Sequence, residues 1–321
     1  MNNILILTEA GGSVGYGHIS RCLGITQALS GEAGLVLTSS EEMTFENNSR
    51  VSNWIRNPAE LPDLNGGKWP NTVLIDSYNA DIDCINYLRK SVNYLAVIDD
   101  FDRMPYPCDS IINPSLLGPN YSQQCAKIFK GSEFIILRED IRFSKPKQKH
   151  GELKSLLVTF GGGDTSPILN LTLPILEALD LNIHVLTGDN EKASFLRSKF
   201  RSNKFNILGR LNSYEVAKLF LDIDLAISAG GQTLNELAFL GIPFIAVETG
   251  MDQYWNIEGY VQNLVTGRHL YAKDPQFRTL LLAEISRMRD LSLRVEASRL
   301  GRGIVDGLGA NRISNLLKNK D

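Results

Sequence analysis

The chain of 321 residues holds only four cysteines (Cys22, Cys84, Cys108, Cys125) and four histidines (His18, His150, His184, His269). No two cysteines form a C-x-x-C pair and no two histidines an H-x-x-x-H. The usual ligand spacing of a zinc site is therefore missing, and no metal is expected. Thiols so scattered read as reduced side chains. Excess positive charge is missing too. Lys and Arg number 33 against 36 Asp and Glu, a net charge of -3, without the basic footprint of a nucleic-acid binder. An anionic ligand would have to be held by local dipoles. No apolar run is long enough for a membrane span, and no secretory leader opens the sequence. These absences point to a cytoplasmic protein.

What is present is an alternation of short apolar runs and amphipathic stretches. Asn3–Leu7, Leu35–Thr38, Thr72–Ile75 and Tyr94–Ile98 read as strands, with Ser110–Ile112 and Phe134–Leu137 closing a first sheet. They lack in/out alternation, as strands covered on both faces do. The rhythm restarts with Leu156–Phe160, Ile183–Leu186, Phe205–Leu208, Leu225–Ser228 and Phe244–Val247. Helices are expected at His18–Leu29, Pro167–Leu179 (kinked or broken at Pro174), Ser213–Phe220, Thr233–Leu240 and Gln253–Leu264, then from Pro275 to the end. The polar segment Phe143–Gly151 reads as a linker. The expectation is two doubly wound Rossmann-like α/β domains facing across a cleft, spanning 1–146 and 150–321, each a parallel sheet with right-handed crossovers.

Four segments carry candidate chemistry. The first is the glycine-rich loop from Ala10 to His18. It lacks G-x-G-x-x-G, and His18 stands where a P-loop needs lysine. Gly11–Gly15 formally spells G-x-S-x-G around Ser13, but without the sequence context of a nucleophile elbow. Gly15 and Gly17 allow close approach of a ligand to the backbone. His18 opens a helix at the carboxyl end of a strand, where open α/β sheets bind ligands. The helix dipole there favours a neutral imidazole, fit for a general base. The same residue also reads as a phosphate contact or a cap. The second segment places Asp76, Tyr78, Asp99 and Asp100 beyond two strands. Asp76 or Asp99 would orient His18 and Tyr78 would touch a ligand; strand-end aspartates also serve as helix caps, Asp81 included. The third, Gly161-Gly162-Gly163-Asp164-Thr165-Ser166-Pro167, reads as a phosphate cradle with a capping Thr or Ser. The fourth, Ala229-Gly230-Gly231-Gln232-Thr233, bends into a helix whose start can face a diphosphate. Glu236 lies one turn in, placed to accept two hydroxyls. Asp252, Gln253 and Asn256 follow on a polar loop.

These residues, taken in order, resemble a known family. Gly17-His18 followed by Arg21-Cys22-Leu23, then Asp76-Ser77-Tyr78, Ile98-Asp99-Asp100 with Arg103, and Asn113-Pro114 are among the matching pieces. Leu117–Tyr121, Phe160–Gly162 with Asp164, Ala229–Gly231 with Thr233 and Glu236, and Gly241-Ile242-Pro243 complete the set. The set is similar to the UDP-2,4-diacetamido-2,4,6-trideoxy-β-L-altropyranose hydrolases of pseudaminic acid biosynthesis and to related spore-coat polysaccharide proteins. The resemblance implies a GT-B fold and a UDP-sugar as the small-molecule substrate, in a monomer or weak dimer without cofactor. Water would attack the anomeric carbon with inversion, His18 acting as base and Tyr78 touching the sugar, with Asp76 as the catalytic candidate that orients His18. Implied substrate contacts are Gly15, Gly17, Arg21 and Asp99 in the first domain. In the second they are Gly161, Gly162, Gly163, Ala229, Gly230, Gly231, Gln232, Thr233, Glu236, Asp252 and Gln253. Members of the family usually carry Asn-Gln where this chain has Asp252-Gln253, so a carboxylate replaces an amide there. An inverting UDP-sugar glycosyltransferase of the same fold is the alternative; a non-catalytic UDP-sugar binder and a hydrolysing 2-epimerase are the others.

Overall fold

The computed structural model describes residues 2–11, 14–39, 49–121, 126–146, 151–161 and 164–319. Ser13, Gly162 and Gly163 lie outside the described residues. The chain forms two compact units, 1–138 with 307–321, and 139–306.

The first unit opens with β1 (Ile4–Ala10), α1 (Gly17–Ala28), β2 (Ala33–Ser39) and β3 (Ser49–Val51). A short helix α2 (Leu61–Leu64), then β4 (Thr72–Asp76), α3 (Ile82–Ser91), β5 (Tyr94–Ile98), β6 (Ser110–Asn113) and β7 (Lys127–Lys130) follow. All seven strands are parallel, in the order β3-β2-β1-β4-β5-β6-β7. Both faces are covered, which is why the strand sequences are apolar throughout. Ile4 and Ile6 of β1 enter one core with Ile19 and Ile25 of α1. Leu5 and Leu7, pointing the other way, enter a second core with Trp54, Ile85 and Leu88. Trp54 also donates its indole N–H to the Thr8 carbonyl at 3.0 Å. Asp81 caps α3, accepting from the Cys84 N–H at 2.8 Å.

The second unit runs α4 (Glu139–Phe143), β8 (Ser155–Thr159), α5 (Ser166–Leu176), β9 (Asn182–Leu186), α6 (Asn190–Lys199) and β10 (Phe205–Leu208). It continues with α7 (Ser213–Leu221), β11 (Leu225–Ala229), α8 (Gln232–Leu240), β12 (Phe244–Glu248), α9 (Tyr254–Gln262), β13 (Leu270–Tyr271), α10 (Phe277–Arg287) and α11 (Leu291–Ile304). Its six strands are parallel in the order β10-β9-β8-β11-β12-β13. Strand order reverses between β1 and β4 in one sheet and between β8 and β11 in the other. Reversal opens a crevice at the carboxyl ends of those strands, the place where such sheets hold ligands.

Three expectations are corrected. Phe134–Leu137 is no strand. Its first residue ends a 3-10 turn at Ser132–Phe134, and the last strand of this sheet is instead Lys127–Lys130, a lysine-flanked edge that blunts further pairing. Ile135, Ile136 and Leu137 are buried all the same, and burial alone cannot distinguish a core strand from core coil. Pro174 does not break α5. It and Asn170, whose carbonyl loses its helical donor, both lie on the exposed face, where water can serve. The final helix, α12 (Gly309–Asn319), does not belong with the second half: the chain changes unit after Arg138 and returns after Asp306. Ala310, Ile313 and Leu317 form an apolar stripe sealed into the core beneath α1. A side chain at Gly309 would put Cβ 2.1 Å from the Ile135 carbonyl oxygen.

Ile313→Ala therefore weakens the first unit by about 2–5 kcal/mol, the cost of emptying a buried aliphatic site. Urea unfolding of a Trp255→Phe background, followed by the fluorescence of Trp54 and Trp69, reads that unit alone. An unchanged unfolding midpoint of the first unit would contradict this assignment of α12.

Candidate functional site

In the first unit the β1–β4 reversal brings two expected residues together. β1 runs into the loop that ends in α1, and His18 is the second residue of that helix; β4 ends on Asp76. His18 Nδ1 lies 2.6 Å from Asp76 Oδ1. Of the two candidate orienting groups, Asp76 takes the role and Asp99 does not. Asp99 accepts instead from the Tyr106 hydroxyl at 2.8 Å and from the backbone N–H groups of Asp102 and Arg103. It is fully buried and committed to its own loop, so it is not placed as the substrate contact the sequence suggested.

Arg21 is corrected in the same way. One turn along α1 from His18 and 9% exposed, it places Nε and Nη2 on Asp76 at 2.6 and 2.7 Å and Nη1 and Nη2 on Asp100, both at 2.9 Å. Four of the five guanidinium N–H groups are thereby spent on carboxylates. Arg21 assembles the site. Cys22 adds a thiol donor to Asp76 at 3.4 Å; burial, then the charge of Asp76, push its pKa up and keep it protonated. Burial disfavours ionisation of Asp76, but Arg21 and His18 outweigh it and hold the carboxyl well below the usual carboxylate range. Burial also opposes protonation of His18, yet the charge and hydrogen bond of Asp76 prevail and raise its pKa above 6.5. The helix-start argument for a neutral ring is thus overruled by a carboxylate in direct contact, a stronger influence than a terminal dipole.

Tyr78 stands edge-on to His18, with ring centroids 4.3 Å apart and planes at 89°. Its hydroxyl donates to Asp100 at 2.6 Å. The loop carrying it is gripped from both sides. Buried Glu9 accepts from the N–H groups of Tyr78 and Asn79 and from the Asn79 amide. Arg103 donates to the carbonyls of Ser77, Tyr78 and Ala80. Neither role is visible in sequence, because Glu9 sits inside a strand and its partners lie about 70 residues away. Gly15 takes a positive φ of 73°, pairing with Gly11 across the turn. Exposed Gly17 has open space where a side chain would go, and no side chain caps α1.

In the second unit the two expected phosphate loops follow β8 and β11, the strands flanking the other reversal. Gly161 has a φ of +89° and open surroundings. The expected cap by Thr165 is absent; Asp164 accepts from the Ser166 N–H at 3.1 Å, and Thr165 is buried. Lys192 of α6, missed in the sequence because α6 is polar and weakly patterned, brings its Nζ to 3.3 Å from the Thr165 hydroxyl. It places a cation beside the loop. Ala229 is buried at the end of β11. Gly230 is walled in: a Cβ would lie 2.5 Å from Ile257 Cγ1 and 2.8 Å from Gln253 Cβ. Gly231 is open and forms the uncapped start of α8, with Gln232 and Thr233 half-exposed beyond it. Gln253 is corrected from ligand to brace, its Oε1 accepting from the N–H groups of Gly230 and Thr249. Asn256 donates to the Gly230 carbonyl at 2.8 Å. Glu236 is 1% exposed, less open than a ribose contact was expected to be. Asp252 is half-exposed on the 3-10 turn Met251–Gln253.

No family model matches the chain. It is 28% identical over 276 residues to an uncharacterized protein of Methanocaldococcus jannaschii, covering 76% of this chain and 55% of that one. It is 25% identical over 259 residues to the pseudaminic acid cytidylyltransferase and UDP-2,4-diacetamido-2,4,6-trideoxy-β-L-altropyranose hydrolase of Helicobacter pylori, covering 78% and 45%. To the spore coat polysaccharide biosynthesis protein SpsG of Bacillus subtilis it is 24% identical over 217 residues, covering 62% and 60%. The chain thus spans about half the length of the curated relatives it matches. Among solved structures it is similar to S. aureus MnaA with UDP, at a TM-score of 0.68 and 13% identity over 100% of this chain and 97% of that one. It is also similar to MurG of Acinetobacter baumannii, at 0.63 and 14% over 98% and 99%. Its two parallel α/β sheets are those of the GT-B fold.

Proposed function

We propose that the chain hydrolyses a UDP-linked diacetamido-trideoxyhexose at its anomeric carbon, releasing UDP and the free sugar with inversion, in the making of a nonulosonic acid or surface polysaccharide. The observation that carries the reading is the buried His18–Asp76 pair at the sheet reversal of the first unit. The H. pylori relative named for this hydrolysis and the UDP bound by the S. aureus structure support the substrate class.

The geometry suits a general base. An ionised carboxylate can only accept, so Asp76 fixes the imidazole proton on Nδ1 and leaves Nε2 as the basic nitrogen. Nε2 takes a proton from water as the water oxygen bonds to the anomeric carbon. The bond to the diphosphate oxygen breaks with its electron pair, and UDP departs. In the second unit, the N–H groups at Gly161, at Gly231 and at the start of α8 would receive a diphosphate, with Lys192 beside the first of these loops. UDP is a good leaving group, so one base, positioning and charge stabilisation suffice. Gln253 and Asn256 keep the Gly230–Gly231 backbone in the orientation this requires.

Incubation with UDP-linked diacetamido-trideoxy sugars, without an acceptor and in the presence of chelator, releases UDP and inverted sugar by NMR. Release only on adding a sugar or lipid acceptor would replace hydrolysis by glycosyl transfer. His18→Ala lowers kcat roughly 100- to 10,000-fold, the usual worth of a general base, with KM little changed; undiminished turnover removes His18 from the role. Only neutral His18 accepts a proton, and its pKa is raised, so kcat climbs with pH through a midpoint above 6.5. Asp76→Asn removes the group that raises it and moves that midpoint down. Gly230→Ala forces α9 and the loop apart, and raises KM for UDP-sugar about tenfold, roughly 1.4 kcal/mol, with kcat less affected. An unchanged KM would detach this loop from nucleotide binding.

A further inference from the structure

Asp100 of the first unit has no part in the hydrolysis above. Asp100, just beyond β5, is 7% exposed, and a carboxylate so buried must be held by specific partners. It has two. Arg21 divides its donors evenly, two to Asp76 and two to Asp100. The Tyr78 hydroxyl donates to the second Asp100 oxygen at 2.6 Å.

The charges of this cluster do not cancel. Asp76 and Asp100 contribute two negative charges and Arg21 one positive charge, and the Arg21–Asp76 and Arg21–Asp100 pairs have side-chain exposures of 10% or less. The remainder is one negative charge in a poorly solvated place. His18 touches it and can become positive. When Nε2 takes the proton of water the cluster becomes neutral, so the protonation needed in the reaction is also the one the cluster favours. Were Asp100 uncharged, Arg21 would offset more of the charge of Asp76 and the preference would weaken, leaving the direct His18–Asp76 hydrogen bond. Geometry adds a second consequence: the phenol that Asp100 holds is the one whose ring stands against the imidazole at 4.3 Å.

We propose that Asp100 is a positioning residue for the base, neutralising Arg21 so that the charge of Asp76 serves His18, and tethering Tyr78 against the imidazole. It rests on the reading of His18 as base. Among the described residues, the titratable and charged groups facing His18 are Asp76 from β4, Arg21 from α1, Asp100 from beyond β5 and the Tyr78 phenol. Cys22 and Glu9 lie one contact further out, on Asp76 and on the Tyr78 loop. An amide fills the same space but turns one of the two accepting oxygens into a donor facing Arg21 or Tyr78.

The test is an NMR titration of the His18 Cε1–H, identified by its loss in His18→Gln, in the full chain and in Asp100→Asn. The variant midpoint falls by about one pH unit, the lower end of what a neighbouring charge does. The acidic limb of the kcat profile moves by the same amount, kcat drops and KM holds. A midpoint that does not move overturns the proposal, even if stability falls. Tyr78→Phe keeps the charges and cuts the tether, and it carries the test if Asp100→Asn fails to fold. Its His18 midpoint holds while the ring-current shift on Cε1–H collapses and kcat falls; a shift that survives refutes the tether. Because the titration needs no substrate, a chain that shows these shifts but releases no UDP keeps this inference and sinks the hydrolase reading.

Discussion

The first unit is organised around one carboxylate. Asp76 is fully buried and accepts from His18, Arg21 and Cys22 together. A charge at that depth persists only if its partners repay the lost hydration. They come from α1, which β1 launches at the point where strand order reverses. The topology that makes the crevice therefore also makes the pair. Arg21 then draws in Asp100, and Asp100 draws in Tyr78, so that a helix, a strand end and two loops are fixed by one set of charge-assisted bonds. Loss of a member would leave a buried charge without its counterpart, which ties the chemistry of the site to the integrity of the fold around it.

The second unit relies on backbone rather than charge. Its two glycine loops follow β8 and β11, and the shape of the second is enforced from outside. Gly230 has no room for a side chain because Ile257 and Gln253 occupy it; Gln253 and Asn256 take up its N–H and carbonyl. What stays open is Gly231 and the start of α8. Residues that look like ligand contacts in a linear motif thus divide into those that present the backbone and those that hold it still. Gln253 is among the latter, as Arg21 is in the first unit. Both are polar residues beside a glycine loop or its helix, and nothing in a linear motif distinguishes a side chain pointing at a ligand from one pointing at its neighbours.

Much of the architecture was legible. Apolar runs without alternation marked ten of the thirteen described strands to within about three residues and missed the short β3 and β13 and the edge strand β7, and the glycine loops marked the turns into α1 and α8. The misses have physical causes. Phe134–Leu137 is as apolar and buried as a strand, and only hydrogen bonding to a neighbour would have made it one. The polar α6, with Ala193 and Leu196 as its buried residues, showed no apolar face. The stripe of α12 announces a buried face without saying which core receives it.

By itself the sequence determined the alternation of strand and helix, the two sheets, and the kinds of residue available at each strand end, because these follow from local periodicity and from what glycine, proline and capping side chains permit. Only the tertiary structure decided that Asp76 rather than Asp99 meets His18, that Arg21 faces inward to two carboxylates, and that the last helix returns to the first unit. Those outcomes rest on contacts between residues some 20 to nearly 290 positions apart. They are set by which strands lie side by side at the reversal and by the demand that each buried charge find a partner, and no local pattern encodes either.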